Sequence, residues 1–438
     1  MSFETSFGEP DSPSRVWRSR QYPPATLTAP MFARYLALPR LVHLLCIGSL
    51  INRAGSFVVI FLSIYASEQL GLGVTFATAC IGVLGGGAMA GSVIGGHLAD
   101  RIGRKPVMLF ALFGGAAMLL LMSGFTNRWF FMVSVGLFSL LAHLYRPAAS
   151  AMIADLVTIE SRPLAFALLY ISVNLGFAIA APVGGFLAAY SFTWLFWLDA
   201  ASLACLATII ACLIPETRNA DVPSVGKHET TESKSIERAG ALRMLMDHTF
   251  LLFCLSTLLI MLVFVQGFST LPIYMKQIGM TNAEFGALIS INGILIVILQ
   301  LPLTQWLSRF QAMSVIIVGG LLIALGFGIN ALGPGVGIVG LGICSWTLGE
   351  ILQAPFKQSV VSDLAPDDLR ASYMGLFSMC YAAALTLGAP MGGELLNRFG
   401  PSTLWSVVAC IACTAVVLYA LIYKSITRRL VSAIPDAL

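Results

Sequence analysis

Four charged residues stand inside long apolar stretches of the chain: Arg53, Arg146, Glu350 and Lys357. A charge at the centre of a bilayer costs about 2.5–3.5 kcal/mol on insertion scales, so each is a candidate for function if these stretches cross a membrane. Glu350 is the foremost. Burial of a lone carboxylate penalises its charged form, and such a group can take a proton on one side of a membrane and release it on the other. The competing reading is a glutamate held permanently by Arg146 or Arg53, tying two parts of the molecule together. The two roles are compatible, because releasing a paired arginine is one way to couple protonation to motion.

Arginine keeps its proton in any protein environment. Arg146, in His143-Leu144-Tyr145-Arg146-Pro147-Ala148, is therefore either the partner of Glu350 or an anchor for a substrate carboxylate. Arg53, in Ile51-Asn52-Arg53-Ala54-Gly55, has the same options. Lys357 lies seven residues beyond Glu350, on the same helical face. It either serves the site or extends its ammonium to the membrane surface. His143 has the chemistry to titrate near neutral pH, although a neutral, hydrogen-bonded ring is the expectation, and His97 is expected to be structural. Tyr145, Tyr170, Asn174, Gln266 and Gln353 are candidate polar contacts to a substrate. Asp199 and Glu394 fall near the ends of apolar runs, where solvation by interfacial water is expected.

No nucleophile–base pair, metal-ligand cluster or phosphate-binding loop is apparent, which argues against an enzyme and against any cofactor or metal. The nine cysteines all fall inside apolar runs and read as small core hydrophobes.

These residues sit in a chain of 438 residues that is 58% hydrophobic and 11% charged, with a mean hydropathy of +0.87. Soluble domains carry about 25% charged residues. Each membrane span needs about 20 apolar residues, and twelve such runs are present: 41–66, 75–98, 107–125, 129–152, 163–189, 194–214, 249–275, 283–306, 313–332, 336–359, 371–396 and 402–424. They divide the chain into a tail (1–40), a six-run bundle (41–214), a polar central loop (215–248), a second six-run bundle (249–424) and a short tail (425–438). The first tail has no apolar core of a signal peptide and reads as disordered. With the N-terminus in the cytosol, nineteen of the 25 Lys and Arg fall on the cytosolic side. The positive-inside rule then places both termini there.

A shift of 208 residues lays Pro147 on Pro355, Asp155 on Asp363, Arg162 on Arg370 and Pro182 on Pro390. It also lays Gly184-Gly185 on Gly392-Gly393. One constant offset through several runs marks a duplicated unit with the same topology in both copies.

The most specific pattern is the stretch GGHLADRIGRKPVM at 95–108. Glycines permit close helix approach, Gly103 interrupts the helix, and Asp100, Arg101, Arg104 and Lys105 mark the exit from the membrane. This G-x-L-A-D-R-x-G-R-K pattern resembles the loop between the second and third helices of the major facilitator superfamily. Pro215-Glu216-Thr217-Arg218 resembles the exit of helix six in its sugar- and drug-transporting members. The resemblance implies an all-α membrane protein of twelve spans in two six-helix bundles around a central cavity lined by runs 1, 4, 7 and 10. It also implies that Asp100 reaches the start of run 11, a favourable place for a carboxylate, and latches the bundles on the cytosolic side. Gly96, Arg101, Gly103, Arg104, Asp155, Asp363 and Arg370 are the other candidate members of that latch.

Asn174 to Gly185 resembles the glycine–proline signature of drug/proton antiporters, except that Ala181 takes the usual proline site and the proline falls at Pro182; Ala389-Pro390 repeats the departure. Together with Tyr145-Arg146-Pro147-Ala148, Ile153-Ala154-Asp155-Leu156 and Gly349-Glu350, this favours proton-coupled export of small amphipathic molecules by a bacterial inner-membrane protein. The alternative is proton-coupled uptake of small peptides or of another metabolite such as a siderophore. Arg146-Pro147, Leu348-Gly349-Glu350 and Tyr170 to Gly176 resemble signatures of peptide transporters. Against that reading, Ser49 and Asn52 stand where their first helix carries two glutamates. The implied partners are a small-molecule substrate, protons and the lipid bilayer, with no nucleic acid, and a monomer is expected.

Overall fold

The computed structural model describes residues 38–124, 127–157, 161–216, 244–366 and 369–432. The expected tail up to residue 37 and most of the central loop lie outside these residues. Among the described residues the chain is helical and without strands.

Each apolar run becomes a helix: α1 (Arg40–Gln69), α2 (Gly73–Ile102), α3 (Arg104–Met122), α4 (Arg128–Leu156), α5 (Arg162–Tyr190) and α6 (Phe192–Leu213). The second set is α7 (His248–Gln277), α8 (Asn282–Leu307), α9 (Ala312–Leu332), α10 (Val336–Leu364), α11 (370–399) and α12 (401–432). α11 and α12 follow one another with a break only at Gly400, whose φ of +80° is open to glycine and strained for other residues. Among the described residues eleven segments are long and apolar enough to cross a membrane, and the last of them, 59 residues long, contains both of these spans. α12 runs on to Ser432, beyond the expected end at 424.

Several starts are capped from the sequence itself. The Asn127 side chain accepts from the Trp129 and Phe130 N–H groups at α4, and Thr281 with Glu284 forms a capping box at α8. Large apolar side chains such as Phe110, Phe113, Trp129, Phe130, Phe186 and Leu421 point outward. A bilayer supplies the solvent for such a surface.

The duplication is visible in the helix starts. Arg40 and His248, Arg128 and Val336, and Arg162 and Arg370 each differ by the offset of 208 read from the sequence. Two bundles, α1–α6 and α7–α12, meet through two equivalent seams, α2 against α11 and α5 against α8.

Both seams are built from residues too small to keep the backbones apart. A Cβ on Gly286 would lie 3.1 Å from the Gly185 Cα, one on Gly293 2.9 Å from the Ala178 Cα, and one on Gly85 2.7 Å from the Thr386 backbone nitrogen. These contacts occupy the half of each seam farther from the chain ends. Toward the chain ends the bundles separate: Gly96 of α2 and Gly375 of α11 face open space. At 1.5 Å per residue, Gly96 lies about 16 Å beyond the last tight contact at Gly85. The α2–α11 seam is therefore closed toward the far end and open toward the near end.

α1 and α7 are both interrupted near their middles. α1 breaks between Ala54 and Val58, and α7 passes through a 3₁₀ turn at Val265–Gly267. The far half of α1 meets the second bundle: Phe61 packs edge-on against Phe285 of α8 with ring centroids 5.1 Å apart, and Glu68 lies 3.7 Å from Lys276 of α7.

Candidate functional site

A cleft opens between the bundles where the seam parts; the second bundle carries an embedded carboxylate and the first two embedded guanidinium groups. Glu350, on α10, is half-buried. Its Oε2 accepts a hydrogen bond from the Asn292 amide at 2.9 Å, and the same amide reaches Thr347 Oγ1 at 3.1 Å. Tyr170, from α5 of the other bundle, lies within electrostatic reach of Glu350. Among the described residues no ion pair joins Glu350 to Arg53 or Arg146. Of the two readings of Glu350, the permanent ion pair is not what the structure contains.

Arg53 ends the near half of α1. Gly176 of α5 lets the two helices touch at this point, since a Cβ there would lie 2.7 Å from the Arg53 Cβ. The guanidinium lies over the Phe177 ring, 5.4 Å from its centroid, and its Nε is buried without a hydrogen-bond partner. Phe177 continues through Phe268 and Phe264 to Trp346, an aromatic cluster spanning both bundles beneath the charged groups. Arg146, on α4, is exposed to the cleft and within electrostatic reach of Arg53 and of His143. Tyr381, on α11 of the second bundle, is within the same range of Arg53.

The secondary candidates divide. Tyr145 meets Ser49 Oγ at 3.4 Å and ties α4 to α1, while the half-buried Asn174 donates to the Tyr170 carbonyl at 2.9 Å. His143 Nδ1 lies 2.9 Å from the Ser139 carbonyl, and His97 Nδ1 is similarly placed 3.0 Å from the Val93 carbonyl. Gln266 and Gln353 are buried within the second bundle and serve backbone carbonyls: Gly388 and Leu262 for the first, Ile316 for the second.

Two expectations are corrected. Lys357 neither lines the cleft nor reaches the membrane surface. It is 1% exposed inside the second bundle, with no acceptor for Nζ among the described residues and Nζ 5.6 Å from the Tyr419 ring centroid. Helical spacing put it on the face of Glu350, but α11 and α12 pack over α10 at that level. Asp199 is not solvated at an interface. It is 1% exposed and accepts the Val58 N–H at 3.1 Å, at the break in α1. Glu394 does sit at a helix end, bonded to Thr75 across the seam and paired with Arg398.

At the near end, Arg104 Nε pairs with Asp155 at 3.2 Å, both in the first bundle. Gly103 has φ +105°, and a Cβ there would lie 2.6 Å from Glu216 Oε2. Glu216 accepts the Arg104 and Lys105 N–H groups at 3.1 and 2.9 Å and so caps α3. Asp363 accepts from Ser359 at 3.2 Å, and Arg101 is exposed. The side chains of Asp100 and Arg370 lie outside the described part, so the expected reach of Asp100 to α11 does too.

Sequence reading missed Asn292 and Tyr381 as members of the site. A solitary Asn in the otherwise apolar run after Ser290 was the available signal for the first; nothing in the sequence singled out the second.

The sequence pattern of the Major Facilitator Superfamily matches residues 45–389. The chain belongs to that superfamily. It is a transporter, not an enzyme, and an integral membrane protein.

Among superfamily relatives, it is 25% identical over 388 residues to the uncharacterized MFS-type transporter YqjV of Bacillus subtilis (strain 168), covering 86% of this chain and 92% of that protein. It is 25% identical to a Na(+), Li(+), K(+)/H(+) antiporter of Planococcus maritimus, covering 85% and 93%. It is 27% identical to the multidrug resistance protein MdtH of Edwardsiella ictaluri (strain 93-146), covering 81% and 86%. A solved POT family transporter in complex with a thioalcohol conjugated peptide superposes with a TM-score of 0.73 at 17% identity, covering 90% of this chain and all of that one. At that identity the likeness is one of fold.

Proposed function

We propose that this superfamily member is a proton-coupled antiporter of the bacterial inner membrane, with both termini in the cytosol, that exports small amphipathic molecules. Glu350 is the proton carrier. The observation that carries this reading is the bond between Glu350 and the neutral Asn292 amide. A carboxylate held by an amide can be discharged without stranding a buried cation, whereas one paired with arginine cannot. The relatives whose names include a proton antiporter and a multidrug resistance protein support the same reading.

Cargo enters from the near, cytosolic end and rests between the aromatic cluster at Phe177 and Phe268 and the polar groups Arg53, Arg146, Tyr145, Tyr170 and Asn174. The near end closes in the opposite state through the latch around Gly96, Asp100, Arg101, Gly103, Arg104, Asp155, Asp363 and Arg370. In support, Gly96 and Gly375 are the small residues that would continue the seam there, and both face open space.

A second reading, co-transport of small peptides or of another metabolite with protons, draws on Arg53 and Arg146. Neither forms an ion pair among the described residues, and together they suit a carboxylate on the cargo. Proteoliposomes with an imposed pH gradient separate the two readings. Exchange accumulates cargo when the lumen is acid and co-transport when the lumen is alkaline, whichever way the protein is inserted. Accumulation that persists undiminished in Glu350→Gln would remove Glu350 from the role.

A further inference from the structure

The interruption of α1 leaves backbone groups on both sides of the break without helical partners, and α6 supplies them. Ser56 and Phe57 bond back to Arg53 and Gly55 within the turn, leaving the Val58 N–H at the start of the far half, with the Phe57 N–H also within reach of Asp199. Asp199 Oδ2 accepts that N–H at 3.1 Å. One turn on, Ser202 Oγ contacts the Asn52 carbonyl at 3.4 Å and donates to the Asp199 carbonyl at 2.8 Å. Gly55 makes the approach possible, because a side chain there would collide with Ser202. A carboxylate 1% exposed in the middle of a bundle is costly to bury. Its position is explained by what it holds: the positive end of a helix, with Arg53 within electrostatic reach.

The segment that Asp199 holds is the one that closes the far end. Phe61 lies one turn beyond Val58 and packs on Phe285, and Glu68 near the end of the same segment faces Lys276. The break also sets where the near half of α1 ends, and so where Arg53 projects.

We infer that Asp199 is a positioning residue that joins the cationic wall of the cleft to the far gate, by anchoring the detached half of α1 on α6. It touches no cargo. Its carboxylate keeps Phe61 and Glu68 against the second bundle while the near end is open, and loosening that anchor is the step that frees the far end to open. The inference rests on membership of the transporter superfamily and not on the choice of cargo, direction or coupling ion.

The test reads the gate directly. Cysteines are placed at Glu68 and Lys276 in the full-length protein, its nine native cysteines replaced, and are joined with a short thiol crosslinker in membranes. The anchored protein crosslinks efficiently. Asp199→Asn retains an acceptor for the Val58 N–H and crosslinks within about twofold of it. Asp199→Ala and the volume-matched Asp199→Leu lose the cap. Such a loss shifts a closed-to-open ratio by about five- to thirtyfold, and crosslinking falls accordingly. Transport rate falls in the same two variants, with cargo KM changed less than the rate. Crosslinking undiminished in Asp199→Leu, or lost equally in Asp199→Asn, overturns the proposal. The first result would mean that the acceptor is dispensable, the second that the charge or the packing, and not the hydrogen bond, is what acts. A failure of proton coupling at Glu350 would leave these crosslinking results unchanged, so the two ideas fail separately.

Discussion

Glu350 takes its hydrogen bond from Asn292 at 2.9 Å, while Arg53 and Arg146 of the first bundle form no ion pair among the described residues. The embedded opposite charges of the two bundles thus form no ion pair with one another. The arrangement leaves the carboxylate available to protons and the cations available to cargo. Replacing Glu350 by Gln keeps the bond geometry but removes the proton. Gradient-driven accumulation in proteoliposomes is expected to fall by about two orders of magnitude, the usual scale for losing a positioned proton-transfer group. Exchange of labelled for unlabelled cargo without a gradient is expected to persist. Loss of both, with the protein correctly folded, would mean that the carboxylate binds cargo and does not carry protons.

The planarity of Arg53 is used as well as its charge. Its guanidinium lies 5.4 Å from the Phe177 centroid, with Nε buried. Lysine has neither the flat face nor the forked donors. Arg53→Gln is therefore expected to raise the KM for cargo by about tenfold or more, the effect of losing a charge-assisted contact, and Arg53→Lys is expected to recover little of it. Transport kinetics measured on the two variants decide the point, and full recovery by lysine would reduce the residue to a point charge.

Much of this molecule was legible before any coordinates. Twelve spans, the offset of 208 and the Gly103 interruption all follow from strong, repeated signals: hydropathy over some twenty residues, a constant spacing, and a glycine where φ is positive. Side-chain direction within a span was not legible. Polar and apolar residues of α10 are not segregated to separate faces, so spacing alone set Lys357 with Glu350, whereas packing by α11 and α12 encloses it. Asp199 was misplaced for a related reason. A carboxylate near the end of an apolar run looks interfacial unless the break in α1, contributed by a segment about 140 residues earlier, is known. In both cases the deciding neighbour is remote in sequence and leaves no local trace.

The same remoteness explains Glu216. In the sequence it belongs to the exit of α6, but it caps α3 through the Arg104 and Lys105 N–H groups, directly against Gly103. Glu216→Ala is expected to cost about 0.5–2 kcal/mol, the loss of a helix cap. Gly103→Ala is expected to cost about 1–3 kcal/mol from its backbone conformation. A Cβ on residue 103 would press on the Glu216 carboxylate, so the double variant is expected to lose less than the two single losses combined, by about 0.5 kcal/mol or more. Thermal unfolding in detergent measures all three, and strict additivity would show that the two residues do not share the contact.

Lys357 yields the opposite expectation to the other embedded charges. Among the described residues its Nζ has no hydrogen-bond acceptor; the Tyr419 ring lies at 5.6 Å and Cys380 is within electrostatic reach, while Tyr419 shares a 2.8 Å hydrogen bond with Thr257. A buried amine that makes no hydrogen bond is paid for by the packing around it. Lys357→Met keeps the length and shape of the side chain and removes the polar end. It is expected to raise the melting temperature in detergent, corresponding to about 1–3 kcal/mol of added stability, with cargo KM unchanged because the residue lies away from the cleft. A destabilised variant would mean that the ammonium has a partner in another state of the cycle. A stable variant that no longer transports would return Lys357 to the working residues of the site.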